Sequence, residues 1–276
     1  MFINSRSSVA HILLYLLLAP LLIACEDKKQ KAVVKVQREL EGSGRILEHF
    51  PRNNQEAKLS MPFSVALPPG YDGTNISYAV VYFLHGSGGD EITDVFGFSN
   101  YLDGLLAQGR CSEHLPIIVF PTADATNYMG SRAGLIGERL VAFIDAKYNT
   151  LQRPERRMIA GFSIGGAAAT RISLLHPGVF GLSVSWAGGV WGNDGKLFQS
   201  VQSHSKDFKD GALRLYLFNG DEDRPGSYAS LTPVLKAHDI EFHKIVFKNQ
   251  GHHLGDYYAK SKGVLGEDVC STLGNY

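Results

Sequence analysis

Cysteine is scarce in this chain, with three in 276 residues, at positions 25, 111 and 270. That is too few for a disulfide scaffold, and the absence of paired Cys-x-x-Cys motifs removes the common structural zinc sites. No His-Glu-x-x-His and no phosphate-binding Gly-rich loop ending in Lys-Ser/Thr occurs, so the sequence asks for neither a metal nor a nucleotide cofactor. An excess of one charge is also missing. Lys and Arg total 27 against 27 Asp and Glu, without a long basic stripe, which argues against a nucleic-acid partner. No apolar run reaches the ~20 residues a spanning helix needs. Internal repeats and low-complexity stretches are absent too. What is abundant is glycine, 30 residues, within a composition that is 44% hydrophobic. One core of ordinary size with many tight turns follows.

The first 24 residues read as a leader rather than as part of the fold. Arg6 gives a positive start, and Ile12 to Ile23 is an apolar segment broken only by Tyr15 and Pro20, the pattern of a signal peptide. It closes on Leu22-Ile23-Ala24-Cys25, which resembles the bacterial lipobox, so Cys25 is the expected lipidation site. The product is a lipid-anchored protein of the cell envelope facing the periplasm or exterior, in the outer membrane if there are two. Residues 25–44 are charged and short of large apolar side chains, and read as a tether, leaving 45–276 as one domain.

Within that domain, apolar runs alternate with helical patterns, the mark of a mostly parallel sheet covered on both faces. Gly44–Pro51 and Ser60–Leu67 read as an antiparallel opening pair, followed by strands near 79–84, 117–121, 157–162, 181–186, 213–218 and 241–247. Helices are expected near 99–109, 133–148, 164–176, 196–208, 227–238 and 254–262. The segment Ala187 to Gly211 is too short to build a large lid.

Gly161-Phe162-Ser163-Ile164-Gly165-Gly166 lies between the strand ending at 162 and a helix-forming stretch rich in alanine. A serine on such a strand-to-helix turn is pushed clear of the sheet as a candidate nucleophile, and the helix start favours negative charge beside it. The competing reading is a structural Gly-rich turn. A serine nucleophile needs a base and an acid, in the order Ser, Asp/Glu, His. The strand near 213–218 ends in Asn219-Gly220-Asp221-Glu222-Asp223, and the strand near 241–247 in Lys248-Asn249-Gln250-Gly251-His252-His253. Asp223 lies far enough past its strand to turn back towards the histidine loop, with Asp221 as the alternative. His252, directly after Gly251, is preferred to His253. Oxyanion donors are expected from the N–H of Ile164, after the nucleophile, and from that of Ser87 in His85-Gly86-Ser87-Gly88-Gly89. His85 is expected to brace that loop.

These motifs resemble the putative-esterase group of α/β-hydrolases, which includes esterase D-like, feruloyl, acetylxylan and enterochelin esterases and mycolyltransferases. Matching stretches are Phe63 to Asp72, Leu84 to Gly89, Ala160 to Gly166, Leu175 to Gly181, and Gly251-His252. The resemblance implies an α/β-hydrolase fold with an eight-stranded, mostly parallel sheet and no large lid. It also implies Ser163 as nucleophile, Asp223 as acid and His252 as base. Where many members carry tryptophan two residues after the histidine, this chain has Leu254. In that fold the helices preceding Cys111 and Cys270 pack on one face of the sheet, so a Cys111–Cys270 disulfide is expected, against two buried free thiols. Tyr128, Trp186, Trp191, Tyr257 and Phe98 are candidates to line the pocket. The expected activity is ester hydrolysis on a bulky alcohol such as a sugar, polysaccharide or siderophore. The alternatives are acyl transfer by the same triad, or a non-catalytic envelope binding lipoprotein. Oligomeric state is left open.

Overall fold

A computed structural model describes residues 28–73, 75–109, 114–190, 192, 194–223 and 228–274. The leader, Cys25, Cys111 and Trp191 therefore lie outside the described residues.

The runs Val80–Leu84 (β3), Ile117–Pro121 (β4), Arg157–Phe162 (β5) and Leu182–Trp186 (β6) form the sheet centre, with Arg214–Gly220 (β7) and Phe242–Phe247 (β8) on one side. Ile46–Phe50 (β1) and Phe63–Leu67 (β2) complete it on the other. The order is β1-β2-β4-β3-β5-β6-β7-β8. The pairs β1/β2 and β2/β4 are antiparallel, and every later pair is parallel. Central strands are buried on both faces, which is why they read as unbroken apolar runs. The pleat divides them: Val81 and Phe83 enter one core, while Val80, Tyr82 and Leu84 enter the other.

Helices α2 (Val95–Gly109) and α9 (Leu254–Leu273) cover the first face and touch each other. The second carries α3 (Ser131–Gly134), a wider turn at Leu135–Leu140, α4 (Val141–Lys147) and α5 (Ile164–Leu175). Three shorter helices, α6 (Gly195–Ser203), α7 (Ser205–Asp210) and α8 (Thr232–Ala237), close a third cluster beside β7. The stretch expected to be too short for a lid is spent on α6 and α7, whose Leu197, Val201 and Phe208 are buried.

Helix boundaries differ from expectation for local reasons. α9 runs on to Leu273, past Gly263 and Gly266, because Ser261, Leu265, Val269 and Leu273 form one buried row at i, i+4 spacing. α8 begins only at Thr232, with Pro233 in its first turn. The larger correction is at the N-terminus. Residues 28–41, expected as a tether, form a helix (α1) docked on the domain. Leu40 is fully buried in the α2/α9 core, Val33 is buried, and Gln37 Oε1 accepts from Leu47 N at 2.6 Å. Val36 packs against the same core, and Lys29 adds ion pairs with Asp90 and Glu91, so the helix is docked by apolar and polar contacts together.

Candidate active site

The turn after β5 is built by absence of side chains. A Cβ at Gly165 would lie 2.0 Å from Leu84 O, and one at Gly161 would lie 2.4 Å from the Gly165 carbonyl carbon. Glycine alone lets α5 start directly against the end of β3. Between them Ser163 takes φ 57° and ψ −119°, a conformation costly for a residue with a side chain. Its N–H donates to Trp186 O at 2.9 Å and its C=O accepts from Ala167 N at 3.0 Å, so both sides of the strained residue are held.

The acid and histidine loops meet in the same way. A Cβ at Gly220 would fall 2.0 Å from Gln250 O, so only glycine lets these loops touch. Asp221 is spent on that contact, accepting from Gln250 N at 3.3 Å. Asp223 turns the other way, buried, with Oδ1 2.8 Å and Oδ2 3.0 Å from His252 Nδ1. On the far side of the ring, His252 Nε2 lies 3.1 Å from Ser163 Oγ. His253 points to solvent instead, with Nδ1 3.5 Å from Asp256. The His252 ring packs on Phe162 at 4.6 Å between centroids, which fixes its plane next to the serine.

Tyr257 has a role the sequence reading missed. Its hydroxyl donates to Asp223 Oδ2 at 2.7 Å, the second donor on a carboxylate that has almost no access to water. Burial and the adjacent carboxylate both push the phenol up, so Tyr257 remains a donor at any ordinary pH. The only available signal was its position, one helical turn past His253.

The loop after β3 supplies Ser87, exposed, and Gly88 at φ 80°. His85 braces it, with Nδ1 2.6 Å from Gly86 O and Nε2 accepting from Ala123 N at 3.1 Å. That pattern needs a neutral ring, and burial lowers the His85 pKa accordingly. Ile164 is the first residue of α5, where an N–H has no acceptor within the helix. Ile164 and Gly88 line an open cleft of about 400 Å³ on the β4 side of Ser163. Its other walls mix paired charges, Lys29 with Asp90 and Glu91 and Arg52 with Asp124, with uncharged residues such as Pro51, Pro62 and Asn127.

Among the described residues, the expected aromatic lining is not there. Tyr128, Trp186, Tyr257 and Phe98 are fully buried. Tyr128 lies under His85 and donates to Pro121 O, while Trp186 donates to Ser261 and packs on Tyr101 and Tyr258. These rings hold the sheet together from below the site.

Comparison with known proteins follows this geometry. Esterase Rv1288 of Mycobacterium tuberculosis is 29% identical over 135 residues, 45% of this chain and 28% of that protein. The endo-1,4-beta-xylanase/feruloyl esterase of Xylanibacter ruminicola is 27% identical over 209 residues, 68% of this chain and 26% of that one. The chain thus spans about a quarter of the length of these curated relatives. A ferulic acid esterase from Anaeromyces mucronatus, solved with ferulic acid, superposes with a TM-score of 0.61 at 18% identity, over 83% of this chain and 90% of that one. The family model described as "Putative esterase" matches residues 55–264. That match takes in the Gly-rich loop, the serine turn, the acid loop and the histidine loop, and the chain belongs to this esterase family.

Proposed function

We propose that this protein is a serine carboxylesterase with Ser163 as nucleophile, His252 as base and Asp223 as the acid that orients the base. The observation that carries this reading is the hydrogen-bonded line from Asp223 through His252 to Ser163 Oγ, with contacts of 2.8 and 3.1 Å. Ser163 Oγ attacks the ester carbonyl while His252 Nε2 takes its proton. The N–H groups of Ser87 and Ile164 donate to the oxyanion, each good donor being worth ~3–4 kcal/mol. His252 then hands its proton to the departing alcohol, leaving an acyl-Ser163. Water, deprotonated by the same imidazole, releases the acid.

Two relatives carry feruloyl or ferulic acid esterase in their names, and the family supports an ester substrate. The cleft is open and mixed in polarity, which supports the ester of a bulky polar alcohol such as a sugar, polysaccharide or siderophore over that of a buried fatty acyl chain. The lipobox-like Leu22-Ile23-Ala24-Cys25 supports attachment of the enzyme to the bacterial envelope by lipid on Cys25.

A panel of short-chain nitrophenyl esters, run with and without sugar acceptors, tests the reading. Hydrolysis by the parent protein and none by Ser163→Ala is the expected result. Product transferred to the sugar faster than to water makes it an acyltransferase, and failure of a fluorophosphonate to label Ser163 defeats both.

A further inference from the structure

The segment Gly86-Ser87-Gly88-Gly89 carries one proposed oxyanion donor and almost no side chain with which to hold itself. Three glycines make its native conformation entropically expensive, and the turn bond from Gly89 N to Gly86 O at 3.2 Å is supplemented by contacts from outside. At its start His85 provides them, through Gly86 O and Ala123 N. At its end stand Asp90 and Glu91. Asp90 Oδ1 closes a local turn, accepting from Ile92 N and Thr93 N at 3.1 Å and from Thr93 Oγ1 at 2.9 Å. That fixes the turn internally but does not tie it to the domain.

β1 and α1 both tie it from outside. Lys29 Nζ lies 2.7 Å from Asp90 Oδ2 and 2.8 Å from Glu91 Oε1. Glu91 is buried and also meets His49 Nε2 of β1 at 3.0 Å. Lys29 is two-thirds buried, and α1 is held on the domain by Leu40, Val33 and Gln37. Lys29, the rest of α1 and His49 lie ahead of the stretch that matches the family model, which begins at residue 55, whereas Asp90 and Glu91 lie within it. Both carboxyls are held below their ordinary range. Burial pushes them up, but their hydrogen bonds and charge contacts with Lys29, joined at Glu91 by His49, outweigh it.

We propose that Lys29 is a positioning residue for the reaction: α1 ties the end of the glycine loop to the domain so that the Ser87 N–H stays aimed at the oxyanion. This rests on the oxyanion role proposed above for Ser87. Misplacement of a donor by ~1 Å is enough to cost up to about a hundredfold in rate, so a single side chain acting on the loop is measurable.

The test uses the full chain with Lys29→Met, Lys29→Arg and, as control, Lys35→Met, which removes only an exposed pair with Glu39. For nitrophenyl acetate, kcat of Lys29→Met should fall roughly tenfold with KM within about twofold. Affinity for a phenylboronic acid, whose serine adduct mimics the oxyanion, should weaken by a similar factor. Hydrogen exchange in residues 85–94 should quicken, and Lys29→Arg should restore most of each signal. Unchanged kcat together with unchanged exchange overturns the proposal. So does a raised KM at constant kcat, which assigns Lys29 to substrate binding. If the parent protein turns over no ester, the esterase reading fails separately, and the exchange measurement still decides whether Lys29 holds the loop.

Discussion

At the scale of single residues, the site turns on Asp223. Its carboxylate takes a hydrogen bond from the His252 ring and another from Tyr257, in a place closed to water. Ser163→Ala and His252→Ala are each expected to lower kcat by about 10⁴-fold or more, Asp223→Asn somewhat less, and His253→Ala by under twofold. A dead His253→Ala beside an active His252→Ala would reverse the assignment. Tyr257→Phe removes one donor from a buried charged acceptor, a loss of ~1.5–3 kcal/mol in such settings. Part of that loss should appear as a roughly tenfold lower kcat, since Asp223 gains freedom to turn from the ring. Steady-state kinetics on the purified variant checks this, and an unchanged kcat reduces Tyr257 to packing.

At the scale of elements, the turn between β5 and α5 leaves no room. Gly165→Ala places its Cβ against Leu84 O and His85 O, both backbone, so no side-chain rotation relieves the clash. We expect a loss of more than ~3 kcal/mol in urea unfolding, at or beyond the upper end for overpacked cores. Gly263→Ala is the counterpart. It is exposed within α9 with nothing within 4 Å of an added Cβ, and should gain ~0.5–1 kcal/mol. If both substitutions behave alike, the close approach of α5 to β3 is not what these glycines serve. The Lys29–Glu91–His49 tie adds a pH dependence. Glu91 is depressed below its ordinary 4.5 in the folded protein, so its contribution is present above that value and is lost as pH falls through the folded pKa. The stability gap between the parent and Glu91→Gln should therefore be widest above pH 4.5 and close towards lower pH. A gap independent of pH in thermal melts would exclude this source.

For the whole molecule, the Cys270 disulfide and the lipid anchor proposed on Cys25 constrain each other. Cys270, in the last turn of α9, is disulfide-bonded, and the other two cysteines lie outside the described residues. The lipid anchor proposed for Cys25 would consume its sulfur in a thioether and leave Cys111 as the partner, two residues in sequence beyond α2, the helix α9 packs on. Mass spectrometry of the non-reduced protein should find the Cys111 and Cys270 peptides joined. A Cys25–Cys270 link would overturn the pairing and the lipid anchor together. A bond closing so long a loop stabilises by up to ~5 kcal/mol in the chain-entropy model. Independently, Cys25→Ser should leave a protein without lipid in membrane fractionation, with the esterase activity of the folded domain intact.

The sheet and the loops at its carboxyl edge are legible in the local sequence. Parallel strands buried on both faces must be continuous apolar runs, as Val80–Leu84 and Ile117–Pro121 are. Loops at their carboxyl ends carry Ser163, Asp223 and His252 because ligands bind open α/β sheets there. Each of these signals is local, a spacing or a run within about ten residues. The rest depends on segments distant along the chain. An aromatic has the same sequence signature in a pocket wall as in a core; Trp186 proved to be core because α2 and α9 close over it, and Tyr128 because it packs beneath His85 in the opposite core. Tyr257 gained its part in the site from the packing of α9 under Asp223, 34 residues away in sequence. Lys29 sits in a stretch whose charge looks solvated until the fold brings Asp90 and Glu91, some 60 residues on, against it. Side-chain partners across such distances are chosen by how the helices dock on the sheet, and no pattern within one segment records that choice.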